Sequence, residues 1–202
     1  MSRTVIFDVG GVLIEWDIRL VYRQLLPDEA AIDAFLDETG WHDWNRELDR
    51  GGRWDDAVEA LAARFPHRRT LIEAAHERWH ASVSGTIDGT VGILDALHQA
   101  RTTLYAITNF SVEKWTETQD RFPFLKTHFR DVVVSAEEQL IKPDPAIFRI
   151  CLERNGLAPG DCIFIDDSLQ NVAAADALGI DGILFTDPET LRSDLSERGL
   201  PL

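Results

Sequence analysis

The residues able to do chemistry in this chain sit where apolar runs end. Asp8 follows Thr4-Val5-Ile6-Phe7, Thr108-Asn109 closes the run that begins at Thr103, Asp166-Asp167 closes the run from Asp161, and Lys142 lies in the loop LIKPDP. A carboxylate such as Asp8 is a nucleophile that needs no deprotonation, so it can attack phosphorus or carbon and hold the product as a covalent intermediate. An ammonium such as Lys142 and a hydroxyl such as that of Thr108 supply the charge and hydrogen bonds that stabilise an anionic transition state. Taken singly, each has a plainer reading. A strand-end Asp forms turns, Thr-Asn caps loops, Asp-Asp before Ser suits a helix N-terminus, and an isolated lysine is a surface group. The chemistry depends on whether the fold brings the four positions together.

The elements that must position them are legible. Thr4–Phe7 reads as a short buried parallel strand that delivers Asp8 to a tight turn at Gly10-Gly11. From Asp17 to about Ala81 the apolar residues recur at helical spacing, as in Ala57, Val58, Leu61, Ala62 and Phe65, and no strand is expected. Five of the six tryptophans precede Ser82, so this stretch has a composition of its own, and Ser82–Gly89 reads as the linker back. After it, helices and strands alternate: helix 91–100, strand 103–108, helix 112–121, strand 131–134, a helix opened by Asp144-Pro145, strand 161–165, helix 168–178, strand 180–185, and a closing helix opened by Asp187-Pro188. Such alternation predicts an α/β fold, a Rossmann-like parallel sheet covered by helices on both faces, with an inserted all-helical cap. The expected boundaries are 1–16 and 82–202 for the core and 17–81 for the cap. Ligands of such sheets bind at the carboxyl ends of the strands, where the polar residues lie.

In this order FDVGGVL, ITN, Lys142-Pro143 and IDDSLQN resemble the four motifs of the haloacid dehalogenase superfamily. The match runs from Thr4 to about Thr186, and the chain looks most like the small bacterial phosphatases whose helical cap follows the first motif. The resemblance implies a hydrolase in which Asp8 forms an aspartyl-phosphate on a small phosphorylated metabolite and Lys142 neutralises Asp8 and a phosphate oxygen. Thr108 Oγ and the Asn109 backbone N–H would donate to the other oxygens. It implies Mg²⁺ as cofactor, held by Asp8, the Gly10 carbonyl and Asp167, with Asp166 holding a metal-bound water or Lys142. Ser168 and Asn171 would support them.

One departure from that pattern concerns the proton. Many phosphatases of the superfamily carry a second Asp two residues after the nucleophile, which protonates the leaving oxygen; here the position is Gly10, and the missing term is worth about 10²–10⁴ in rate. Glu15 and Asp17 are candidate substitutes. A substrate with a good leaving group, such as a sugar 1-phosphate, is the other way out. The rival reading is a metal-independent 2-haloacid dehalogenase using the same Asp8, and a more distant one is an inactive binding module. Against the dehalogenase, Asp166-Asp167 would set uncompensated charge beside a carboxylate substrate. Trp41, Trp44, Trp54 and Trp79 are expected to pack the cap core rather than line a pocket, and Arg46, Arg50 and Arg53 are candidate cations for substrate. His76 and His80 lack a third ligand. Cys151 and Cys162 are expected to be small buried hydrophobes. Twenty Lys and Arg against 35 Asp and Glu leave a net charge of −15, which argues against nucleic acid and anionic membrane as partners. With no targeting signal or apolar span, a soluble cytoplasmic protein is expected.

Overall fold

The computed structural model describes residues 3–202. In chain order the elements are β1 (Thr4–Phe7), β2 (Ile14–Trp16), α1 (Arg19–Tyr22), α2 (Glu29–Thr39), α3 (Trp41–Asp49), α4 (Trp54–Arg64), α5 (Arg69–Glu77), β3 (Val83–Thr86), α6 (Asp88–Gln99) and β4 (Thr103–Thr108). There follow α7 (Val112–Arg121), α8 (Phe124–Thr127), β5 (Asp131–Val134), α9 (Ser135–Glu138), α10 (Pro145–Asn155), β6 (Cys162–Asp166), α11 (Leu169–Ala177), β7 (Asp181–Leu184) and α12 (Pro188–Glu197). No helix of the described residues is long and apolar enough to cross a membrane.

The main sheet has the order β5-β4-β1-β6-β7, and every pairing in it is parallel. Alternate side chains of its central strands enter two separate apolar clusters, as the two-residue strand period requires. Val5, Phe7, Leu104, Ala106, Ile163 and Ile165 pack on one face with α6 and α12, whereas Ile6, Tyr105, Ile107 and Phe164 pack on the other with α10. Both faces are therefore covered, which explains why β1 and β6 read as unbroken apolar runs. Cys151 and Cys162 are buried free thiols of the second cluster.

Helix starts follow their capping chemistry. Asp144 accepts from the Ala146 amide ahead of Pro145, Ser111 from Lys114, and Asp187 from Thr190 ahead of Pro188, each satisfying an amide that the first turn leaves unpaired. The stretch 82–89, expected as a linker, instead contains β3, which pairs antiparallel with β2 in a small second sheet. These strands have only three and four residues, and Glu15, Ser84 and Gly85 carry no apolar alternation to announce them. The ribbon forms because both segments leave the sheet side by side, the outward one toward α1–α5 and the returning one toward α6.

Candidate active site

β1 lies between β4 and β6, and the chain departs in opposite directions on its two sides. A crevice opens at the carboxyl ends of strands at such a switch point, and Asp8 stands in it, its amide bonded to the Ile165 carbonyl at 2.8 Å. The next residues form a compact turn in which the Val9 carbonyl accepts from the amides of Leu13 and Ile14 at 2.8 and 3.0 Å. Gly11 is required here twice over. Its φ of +76° lies in the left-handed region, and a Cβ would fall 2.3 Å from Asp167 Oδ2. Gly10 differs, since a Cβ there would meet open space.

Lys142 is the centre of the charged cluster. Its Nζ lies 2.8 Å from Asp8 Oδ1 and 2.7 Å from Asp166 Oδ2, and the side chain is almost fully buried. Burial alone would depress the ammonium, but the Asp8 and Asp166 carboxylates outweigh it and hold it above the ordinary lysine range. Burial likewise pushes the Asp8 carboxyl well above its usual value, opposed by Lys142 and reinforced by the Asp166 charge. Burial also raises Asp167, with Asp166 adding to it and Lys142 pulling the other way. Asp8 Oδ1 also accepts from the Val9 amide at 2.6 Å.

Asp166 is saturated by protein donors. Besides Lys142 it accepts from the Ser168 amide at 2.8 Å, and Asn171 Nδ2 reaches Oδ1 and Oδ2 at 3.0 and 3.1 Å. Asp167, one residue on, is exposed, and oxygens of Asp8, Asp166 and Asp167 fall within 4.8 Å of one another, a spacing that suits one cation. Thr108, buried at the end of β4, faces the same space. Asn109 ties two loops together: its Oδ1 accepts from the Lys142 amide at 2.9 Å and its Nδ2 donates to the Lys142 carbonyl at 3.2 Å.

These groups form the floor of a cavity of about 260 Å³ whose walls include Asn45, Asp49, Trp54 and Trp79 from the helical segment, Lys114 from α7, and Trp16 from β2. Trp54 is wholly buried and its indole N–H donates to Ser111 Oγ at 2.8 Å, joining α4 to the N-cap of α7. Lys114 Nζ sits 5.4 and 5.8 Å from the ring centroids of Trp54 and Trp79 and is paired with Glu117 at 2.8 Å. Trp54 and Trp79 thus line the cavity as well as packing, contrary to the expectation for them, while Trp41 and Trp44 do not line it.

Several candidates fall outside it. Glu15 accepts from Ser84 Oγ on the outer edge of the ribbon, and Asp17 accepts from the Arg19 amide at 2.9 Å. Arg50 pairs with Glu47 and Arg53 with Asp56, and none of these residues nor Arg46 lines the cavity. The cavity cations are Lys142 and Lys114. Lys114, Asp49 and Trp16 were not visible as site residues in the sequence: Asp49 and Trp16 reach the cavity only through the docking of α3 and β2 over the strand ends, and Lys114, in the first turn of α7, reads as an ordinary helix lysine.

A family model of haloacid dehalogenase-like hydrolases matches residues 2–179. Among curated proteins, the chain is 42% identical over 214 residues to acyl-CoA dehydrogenase family member 10 of Mus musculus, covering 99% of this chain and 19% of that protein. It is 30% identical over 114 residues to flavin mononucleotide hydrolase 1 of Arabidopsis thaliana, covering 56% of this chain and 46% of that one. The chain therefore spans less than half the length of either relative. Among solved structures, a HAD family enzyme of Bacteroides thetaiotaomicron in complex with magnesium and inorganic phosphate superposes with a TM-score of 0.70 at 23% identity, covering 93% of this chain and 96% of that one. A dehalogenase superposes with a TM-score of 0.66 at 21% identity over 90% of this chain and 83% of its own. With the strand-end cluster, the parallel sheet and the matched model in agreement, the chain belongs to the haloacid dehalogenase-like hydrolases.

Proposed function

We propose that the chain is a Mg²⁺-dependent phosphomonoesterase that acts through an aspartyl-phosphate on Asp8. The observation that carries this reading is the composition of the cluster: the carboxyls of Asp8 and Asp166 flank the ammonium of Lys142 and that of Asp167 lies beside them at the mouth, so three carboxyls share one ammonium, two of them where burial makes uncompensated charge costly. A divalent cation with hard oxygen ligands fits that surplus. Asp8, the Gly10 carbonyl and Asp167 would hold it, and when bound it supplies the positive charge that offsets the approach of a carboxylate to a phosphate dianion. Asp166, already saturated by donors, holds Lys142 in place. Asp8 attacks phosphorus; Lys142, Thr108 Oγ and the Asn109 backbone N–H donate to the phosphoryl oxygens as charge accumulates there. Water then hydrolyses the aspartyl-phosphate. A cavity of about 260 Å³ lies just below the range of drug-sized pockets, which favours a small phosphorylated metabolite, a sugar 1-phosphate among the candidates. The −15 charge favours neither nucleic acid nor membrane as partner, in keeping with a cytoplasmic enzyme.

The second reading, a metal-independent 2-haloacid dehalogenase, draws on the absence of a side-chain acid at Gly10 and on the likeness of fold to a dehalogenase. It leaves Asp167 uncompensated beside an anionic substrate. The test is p-nitrophenyl phosphate hydrolysis by the wild type and Asp8→Asn, each with Mg²⁺ and with EDTA, alongside halide release from 2-chloropropionate. Phosphate release that requires Mg²⁺ and disappears in Asp8→Asn is the expected result. Halide release in EDTA without phosphate release would transfer the protein to the second reading.

A further inference from the structure

We propose that Asp49, the last residue of α3, is the general acid of this reaction, giving its carboxyl proton to the leaving-group oxygen as Asp8 attacks phosphorus. The inference rests on the phosphatase reading above and answers the question that Gly10 raises. In the step, the bond from Asp8 oxygen to phosphorus forms while the bond from phosphorus to the leaving oxygen breaks. That oxygen keeps the electron pair and takes the Asp49 proton. Asp49, now a carboxylate, is reprotonated by the water that hydrolyses the aspartyl-phosphate.

Three carboxylic side chains line the cavity, namely Asp8, Asp49 and Asp167. Asp8 and Asp167 belong to the charged cluster around Lys142, which leaves Asp49 as the one free to donate. It is half-buried in the wall. Asn45 Nδ2 donates to its Oδ2 at 3.1 Å, and among the described residues no donor reaches Oδ1. One oxygen is thus oriented, and the other, on a residue that lines the cavity, is left able to carry a proton. The charged groups sharing the space are Asp8, Asp167, Lys142 and Lys114, with Arg46 behind it on α3. Burial pushes the Asp49 carboxyl up to about 7, against the pull of Arg46, the range in which a group gives and regains a proton most readily at neutral pH.

The placement of Asp49 is built into the backbone. Its carbonyl accepts from Ser135 Oγ at 2.6 Å, and the same oxygen of Ser135 accepts from the Phe110 amide at 2.9 Å. Gly51, with φ +105°, brings the chain so close that a Cβ would stand 3.0 Å from the Ala136 carbonyl oxygen. The end of α3 is thereby fastened to the loop that follows Thr108 and Asn109. An acid placed on a helix over the site replaces one placed in the first loop.

The experiment compares kcat/KM for p-nitrophenyl phosphate, whose leaving group departs as a stable anion, with that for benzyl phosphate, of similar size, whose alkoxide must be protonated. For Asp49→Asn in Mg²⁺ the ratio of benzyl to p-nitrophenyl phosphate is expected to fall by about 10²-fold or more. A purely structural role would lower both values together, and an unchanged ratio overturns the assignment. Absence of phosphate release from both esters by the wild type removes the phosphatase reading and this assignment with it, whereas an active wild type with an unchanged ratio in the variant removes the assignment alone.

Discussion

Lys142 and Asp166 illustrate how few residues hold the charge in place. Asp166 is completely buried yet accepts from Lys142, Asn171 and the Ser168 amide, which is the condition under which a buried carboxylate is tolerable. Asp49 has a single side-chain donor, Asn45, and is correspondingly raised. This has a consequence for stability with a definite sign. Between its ordinary value of 3.8 and its folded value of about 7, the folded state binds the Asp49 proton and the unfolded state does not. The stabilisation is therefore full at the acid end of that window and is lost as pH rises through it. Urea denaturation of wild type and Asp49→Asn across the window is expected to show the difference in stability moving toward the variant as pH increases. Asp8, Thr108 and Asp166-Asp167 were legible in the sequence because each ends an apolar run, whereas Lys142, in a loop, stood out only through the resemblance of its Lys-Pro pair to a family motif. Asp49 ends an amphipathic helix like any surface acid, and only the contact of α3 with α9 turns it inward.

At the scale of elements, the turn after β1 and the end of α3 each need a glycine with positive φ, Gly11 and Gly51, because each passes close to another part of the site. Ser135 joins three segments, since its hydroxyl serves both the Asp49 carbonyl and the Phe110 amide. Ser135→Ala leaves both without their partner in a fully buried position, and a loss of about 1–3 kcal/mol is expected, measurable by chemical denaturation. The strands of the main sheet were readable because burial on both faces makes them continuous apolar runs. The β2–β3 ribbon was not, because strands this short owe their pairing to the crossing of the chain between sheet and helices rather than to any pattern of their own.

For the whole molecule, the net charge of −15 opposes the approach of an anionic substrate, while the attractive charge of Lys142 is confined to a buried site. Screening shortens the repulsive field to about 10 Å at 0.1 M salt. In saturating Mg²⁺, kcat/KM for a phosphate monoester is therefore expected to rise as ionic strength is increased from about 0.01 to 0.1 M; steady-state rates at fixed metal check this, and a fall would mean that a local positive field governs capture.

The first apolar cluster is continuous from Ile32, Phe35, Trp41 and Leu48 in the helical segment to Val5, Phe7 and Ile165 in the sheet. The interior of residues 17–81 is thus joined to that of the sheet rather than sealed off from it. Melting of the 17–81 helices would remove part of the one cluster that also contains β1, β6, α6 and α12, so the two halves are expected to lose structure in a single cooperative event rather than as independently folding units.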